Sequence, residues 1–451
     1  MDNESWIGGR RASGPAKRED TRQRILKAAR SVFIQHPFQK ASLRKIGDAA
    51  GVKHPLIIHY FGSKAALFDE IVLELEAEIL INLPHIVEAL KGCGRTEKFA
   101  VFLRLLLEYS FQYPDGLAVI MLNLGETDNM KMSLPGFGRM AEIRRKLLSL
   151  LSNDVLGGSF QNEADMLLFV LILSIANFVG SARFHSKALG FQYGSPEYRQ
   201  WVGEMFAFLF IPAMEMIYQG KTMPVSALME NCTEEDPVEN EPGDVPGKWN
   251  KGEAARNMIL KFSKQVFSRN PYHAASIGMI GRQGRFDHTL IHHYFPTKAD
   301  LLESVARDIF EEIIRMARLW SRDFSGMPFS RFFTVYLNRS LRYFFEHNEV
   351  PGILMHNIAH AEHLVDLVGF QYLTKFHYRI YDILRELLPQ DAPERNLRMW
   401  LYTLITVLYS LVGAPEYPSR LLGMDPESEI YRQWVLETLI SIFLPVFSEA
   451  L

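Results

Sequence analysis

Arg44, Lys45, Lys53, His54, His59 and Lys64 place four cations and two imidazoles within one short stretch of the chain. These side chains are hydrogen-bond donors, and the chemistry they share is the binding of a polyanion. The wider neighbourhood has the same bias. Residues 10–67 hold thirteen Lys/Arg against three Asp/Glu, a net of +10. A second window, residues 244–301, holds nine against four, a net of +5. The whole 451-residue chain has a formal charge of −3, so the positive charge is concentrated in these two windows. Neutralising phosphates with Lys and Arg supplies most sequence-independent affinity for nucleic acid.

One other cluster has chemical potential. His356, His360 and His363 stand at i, i+4 and i+7, on a single helix face. That spacing suits a metal ion, a polar lining for an anionic ligand, or a solvated face. The first half of the chain has no equivalent there, and neither a metal nor a cofactor is assigned. An enzyme is not expected: there is no Gly-rich phosphate loop, no activated Ser or Cys arrangement and no repeated carboxylate pair. Cys93 and Cys232 are far apart and fit neither a disulfide framework nor a zinc site. Their reading is a reducing cytoplasm.

The elements that must position the basic residues follow from local pattern. TRQRILKAARSVFIQ, residues 21–35, puts Ile25, Ala28, Ala29, Val32 and Phe33 on one stripe of a helix. Ser42 caps a second helix, in which Leu43 and Ile46 face inward and Arg44, Lys45 and Asp48 outward. Gly51 permits a tight turn, and Pro55 suits the first turn of a third helix that ends at Tyr60-Phe61. Gly62 and Ser63 break and recap the chain. The result is a helix-turn-helix with a supporting first helix, its last short helix the candidate reader of a DNA groove.

The pattern occurs twice. A constant shift of 234 aligns residues 25–68 with 259–302 without a gap, matching Ile25-Leu26-Lys27 to Ile259-Leu260-Lys261 and His59-Tyr60-Phe61 to His293-Tyr294-Phe295. The match runs on through Tyr109/Tyr343, Met121/Met355 and Asn123/Asn357, and at a shift of 233 through YRQWV at 198–202 and 431–435. The chain is therefore a tandem duplication.

On the motifs ILKAARSVF, SLRKIGDAAGV and HYFGSKAAL, residues 21–68 resemble the DNA-binding domain of the tetracycline-repressor (TetR) family of bacterial regulators. The sequence departs from the family pattern at Lys53, where Ser or Thr is usual, and at Ile58, where an aromatic is common. The resemblance implies an all-α fold of two tandem TetR-like units, each a three-helix DNA-binding domain followed by a helical ligand-binding and dimerisation domain. The expected boundaries are a basic arm (1–19), DNA-binding domain (20–68), helical domain (69–220), acidic Pro-containing linker (221–249), divergent DNA-binding domain (250–302) and helical domain (303–451). It further implies that Ser42 and Lys64 lie near phosphates and that Arg44 points toward base edges. Lys45, Lys53, His54, Pro55, Ile58 and His59 complete the DNA face. In the second unit the corresponding residues are Ser276, Arg282, Arg285, His288, Thr289, His292, His293 and Lys298. There Gly278 and Met279 replace Arg44 and Lys45, and Asp287 replaces Lys53.

The same resemblance places a ligand pocket in the helical domains, with Met121, Asn123, Met355, His356, Asn357 and His360 as candidate lining. The expected partners are a double-stranded DNA operator and an unidentified small-molecule effector. Two fused units are expected to form an intrachain pseudodimer on two half-sites, and a further homodimer is left open. No membrane partner is expected: the apolar runs at 166–182 and 399–414 read as buried subunit-contact helices rather than spans. The alternative is a module of the same fold in which one or both helix-turn-helix units no longer bind DNA.

Overall fold

A computed structural model describes residues 15–124, 137–150, 153, 161–221, 225, 251–322, 324, 326–359 and 370–450. Among these residues every regular element is helical. The first repeat comprises α1 (Pro15–Phe33), α2 (Leu43–Ala50), α3 (His54–Phe61), α4 (Lys64–Leu80), α5 (Leu83–Leu90), α6 (Arg95–Gln112), α7 (Asp115–Leu124), α8 (Phe137–Leu150), α9 (Gln161–Ile175), α10 (Ala182–Ala188) and α11 (Pro196–Tyr218). A π-type turn, Ala176–Gly180, continues α9. The second repeat comprises α12 (Lys251–Phe267), α13 (Ile277–Gly284), α14 (His288–Tyr294), α15 (Lys298–Trp320), α16 (Phe329–Glu346), α17 (Glu349–Ala359), α18 (Phe370–Leu384), α19 (Glu394–Val412), α20 (Glu416–Leu422) and α21 (Glu429–Phe443).

One departure from the expected boundaries and one difference between the repeats have local causes. Helix α1 begins at Pro15, so Lys17 and Arg18 lie on the helix rather than on a free arm. Proline needs no N–H at a helix start, and its fixed φ suits that position. The α4–α5 break of the first repeat has no counterpart in α15, which runs unbroken to Trp320. Pro84 stands in the first turn of α5 and disfavours a helical residue before it, whereas Arg318 stands at the equivalent place.

The first DNA-binding unit has its own core. Ile25, Ala29, Phe33, Ile46, Ile57 and Leu67 are all fully or almost fully buried there. Val119 of α7 joins this core, and an ionic cluster adds to the link with the helical domain. The Arg30 guanidinium on α1 reaches Glu78 of α4 at 2.5 Å and Asp115 of α7 at 2.7 Å. The second unit is joined differently: Ile259, Ile280 and Ile291 belong to the large core that runs through both helical domains. Lys264, equivalent to Arg30, is held by Asp308 at 2.8 Å and Glu312 at 2.7 Å.

The main contact between the two helical domains is built from α9 and α11 of the first repeat and α19, α21 and the C-terminal turn Pro445–Ala450 of the second, and α7 also meets α17. The main contact has the signature of a two-fold interface, in which i meets j and j meets i. Phe169 meets Trp434 edge-on at 5.3 Å, and Tyr402 meets Trp201 at 6.1 Å. Tyr402 is the counterpart of Phe169, and Trp434 of Trp201. Asn177 and Ser410 are equivalents, and they bond each other at 3.0 Å, as residues on the axis must. This contact accounts for the apolarity of the run at 166–182 and of its counterpart. Among the described residues two helices, α11 and the stretch 429–447, are long and apolar enough to cross a membrane, as are two sharply bent helix pairs, 165–188 and 394–422, if each is taken as one span. The apolar faces of α11 and 429–447 are used in the same packing, with Trp201, Met205, Phe206, Val435 and Leu439 buried.

One turn carries strain. Gly51 ends α2 with φ 65°, and its counterpart Arg285 ends α13 with φ 56°. Arg285 is the sole non-Gly residue with positive φ among the described residues. Arg285→Gly is expected to stabilise the protein by about 0.5–1 kcal/mol, less than the full steric cost because glycine loses more freedom on folding. Thermal unfolding of the purified variant checks this. An unchanged or lower Tm would show that the arginine side chain offsets the strain.

Candidate DNA interface and ligand cavity

The helix ends that build the first reader are well capped except where the sequence departs from the usual residue. Ser42 Oγ accepts from Lys45 N at 3.1 Å, and Ser63 Oγ accepts from Ala66 N at 3.0 Å. Lys53 occupies the N-cap of α3 without a side-chain hydrogen bond to the helix, so its ammonium is available to an anion. In the second unit Asp287 takes the same place and caps α14 through Thr289 N at 2.7 Å. Thr289's hydrogen bonds hold the Asp287 carboxyl below the usual carboxylate range, so it is anionic at neutral pH. The second reader is thus better capped and more repulsive to phosphate.

Arg44, Lys45, Lys53, His54, Pro55, Ile58 and His59 are all exposed, while Ile57 and Phe61 of the same helix are buried. The exposed set spans α2 and α3 and forms one basic surface with an apolar spot, since Ile58 is 40% exposed. The second surface exposes Ser276, Arg282, Arg285, His288, Thr289, His292 and His293. It lacks the counterpart of Arg44. A Cβ built at Gly278 would meet the His288 ring at 3.3 Å, so His288 leans over the place a side chain would leave from. His292 Nδ1 lies 3.2 Å from Pro296 O, which ties that ring back to its own turn.

Lys64 and Lys298 sit otherwise than expected. The Lys64 ammonium donates to Phe38 O at 2.8 Å and Ala41 O at 3.0 Å, and lies over the Phe38 ring. Lys298 does the same with Tyr272 O at 2.9 Å and Ala275 O at 3.0 Å. Burial lowers the pKa of both lysines. Their protons tie down the turn that precedes α2 and α13 rather than reaching outward for a phosphate. Lys64→Met is therefore expected to destabilise the first unit by about 1–2 kcal/mol, the cost of leaving carbonyls unsatisfied. The same change is expected to leave the salt dependence of DNA binding almost unaltered. A salt slope reduced by about one, with normal stability, would restore the lysine to the phosphate contacts.

The ligand candidates are also redistributed. Asn123 accepts from Phe38 N at 3.0 Å and donates to Val119 O at 2.8 Å, so it joins α7 to the DNA-binding unit and does not line a pocket. Met121 and Met355 are core residues, and Met355 Sδ lies 3.4 Å from Ser410 Oγ. His356 is buried, and its pKa is pushed down to about 4 by burial and by the charge of Lys40, against a hydrogen bond with the Ser268 backbone. The Asn357 side chain, His360 and His363 lie outside the described residues. Among the described residues, no three His, Cys, Asp or Glu side chains come together in a way that could hold a metal ion.

The cavity lies elsewhere. In the first repeat a space of about 80 Å³ is enclosed by α4 to α9. Leu106, Tyr109, Ile143, Arg144, Phe169 and Ala176 form its walls, and Tyr417 and Leu421 of α20 close it from the second repeat. Its few polar groups are already engaged. Arg144 forms a two-pronged pair with Asp165 at 2.7 and 2.6 Å and donates to Leu421 O at 3.1 Å. Tyr109 OH meets His85 Nδ1, and Ser110 Oγ donates to Leu106 O. The wall offers apolar surface and no uncompensated charge.

The chain thus holds two helix-turn-helix units, each backed by a helical domain, with the helical domains joined through a two-fold helical contact. The model of the tetR family of bacterial regulatory proteins matches residues 25–71 and again residues 259–305. Two segments of the chain, one in each repeat, are thus similar to the DNA-binding domain of that family. It is 31% identical over 95 residues to the HTH-type transcriptional repressor AcnR of Corynebacterium efficiens, which is 21% of this chain and 50% of the relative. It is 30% identical over 98 residues to AcnR of Corynebacterium glutamicum, covering 21% of this chain and 52% of the relative. To the HTH-type transcriptional regulator UidR of Escherichia coli it is 32% identical over 72 residues, 16% of this chain and 37% of the relative. The chain thus spans about half or less of the length of these relatives.

Proposed function

We propose that the chain is a ligand-responsive transcriptional regulator, and a repressor, that acts as a single-chain pseudodimer on an operator with two half-sites. The observation that carries the reading is the isologous contact within one chain. It pairs two helix-turn-helix units in the way a two-fold DNA-binding dimer pairs its subunits. The first reader carries the stronger basic surface, and the second carries Asp287 and Gly278 in place of Lys53 and Arg44. Unlike readers select unlike half-sites, so the operator is not a palindrome. Repression is supported by the printed function of the AcnR relatives. Ligand response is supported by the enclosed cavity beside α4 and α7, because these helices hold Arg30 through Glu78 and Asp115. The test is the mass of the protein–DNA complex by light scattering at moderate salt. One chain per operator duplex is expected. Two chains per duplex would mean that separate chains supply the two readers.

A further inference from the structure

The two repeats do not offer the same interior. The second repeat has a space at the equivalent place, enclosed by Leu354, Phe376, Tyr402, Thr406 and Tyr409, but it measures only about 20 Å³. It is closed across the interface by Phe184 and Ala188 of α10, the counterparts of Tyr417 and Leu421. Sites and lids therefore correspond pairwise, and only the contents differ.

The difference lies in four substitutions between the repeats. Trp320 stands for Ile86, Phe344 for Ser110, Phe376 for Ile143 and Tyr409 for Ala176. Each replaces a smaller side chain with a large aromatic one. The four are nearly fully buried and in mutual contact. Trp320 meets Phe344 at 5.9 Å, Phe344 meets Tyr409 at 5.4 Å, and Phe376 meets Tyr409 at 5.7 Å. Protein interiors are close-packed, and a dry apolar void forgoes contacts that a fitting molecule restores. The second repeat fills the space with its own rings, and the first leaves it open.

We propose that the chain binds one molecule of an uncharged, mainly apolar ligand, in the first repeat alone, and that the aromatic side chains of the second repeat permanently occupy the twin site. This deepens the ligand-responsive reading above and rests on it. Arg144 favours no anion, because Asp165 already neutralises it in a two-pronged pair. The ligand touches both repeats, since Tyr417 and Leu421 of α20 form part of the wall. An occupied cavity thus bears on α20 and the inter-repeat contact as well as on α4 and α7.

The test is titration of the full-length protein with N-phenyl-1-naphthylamine, an uncharged apolar fluorophore, read by fluorescence and calorimetry. One probe per chain is expected. Ala176→Tyr, which copies the ring at 409 into the open site, is expected to weaken binding by roughly tenfold or more. The paired change Trp320→Ile with Tyr409→Ala is expected to raise the stoichiometry to two. Near-UV circular dichroism and Tm of each variant establish that it is folded. If the paired variant does not fold, Tyr409→Ala alone serves, with a weaker second site expected. Two probes bound per native chain, no probe bound, or indifference to Ala176→Tyr in a folded variant would each overturn the proposal. The readout needs no DNA. A chain that takes one probe but never binds DNA would sink the regulator reading and leave the single site standing.

Discussion

Arg44→Ala is expected to lower affinity for the selected operator by about 1–3 kcal/mol, or roughly 5- to 150-fold, with the loss concentrated at one base pair. The residue is exposed on α2 beside the reader helix, and an arginine there can grip a guanine edge with two hydrogen bonds. Competition among operators altered at single positions measures this. The native protein should discriminate at the contacted position and the variant should not. A loss spread evenly over all sequences, with a reduced salt slope, would make Arg44 a phosphate contact instead. Arg282→Ala in the second repeat should show that second behaviour, because Gly278 leaves this reader without the Arg44 counterpart.

Acid should weaken the fold through two buried histidines. His185 is fully buried against Phe178 and Tyr402, and burial pushes its pKa down to about 3. Its Nδ1 lies 2.7 Å from Tyr402 OH, across the contact between repeats. His356 is held down to about 4. In the unfolded chain each titrates near 6.5, so between that value and the folded one the unfolded state binds more protons. Stability from both is complete above pH 6.5 and falls as the pH drops toward 4 and then 3. Each contributes a slope of about 1.4 kcal/mol per pH unit in that window, up to about 4 kcal/mol for the pair between pH 6.5 and 5. Denaturant unfolding at a series of pH values checks this, with His185→Asn as the comparison. The variant should lose about half of the slope. Equal slopes in the two proteins would mean that His185 is solvated in the working molecule.

The helix-turn-helix elements were legible because their signals are local. N-caps, turn residues and helical periodicity act within a few residues: Ser42 and Ser63 cap where the pattern places them, and Ser276 and Asp287 cap at the equivalent places of the second repeat. The duplication was equally plain, since it needs only a constant shift. What failed was whatever depends on the neighbour of a side chain. Lys64 reads as a phosphate partner until its ammonium is seen among the carbonyls of residues 38–41, twenty-odd positions earlier. Asn123 reads as pocket lining until Phe38 N is seen to bond it.

The cavity was a different case. Tyr109 was already matched to Tyr343, yet the informative pairs were the mismatched ones: Ser110 with Phe344 and Ala176 with Tyr409. Matches between repeats mark the shared scaffold. Volume changes between them mark where the halves have taken different tasks.

Selection of binding sites from random duplex DNA by the full-length protein tests the central claim most directly. Two unlike half-sites at a fixed spacing of about one helical turn are predicted, one for each reader of a single chain. A symmetric palindrome would contradict it. It would mean that two chains meet through their first units and that the second reader, with Asp287 at its cap, has become scaffold.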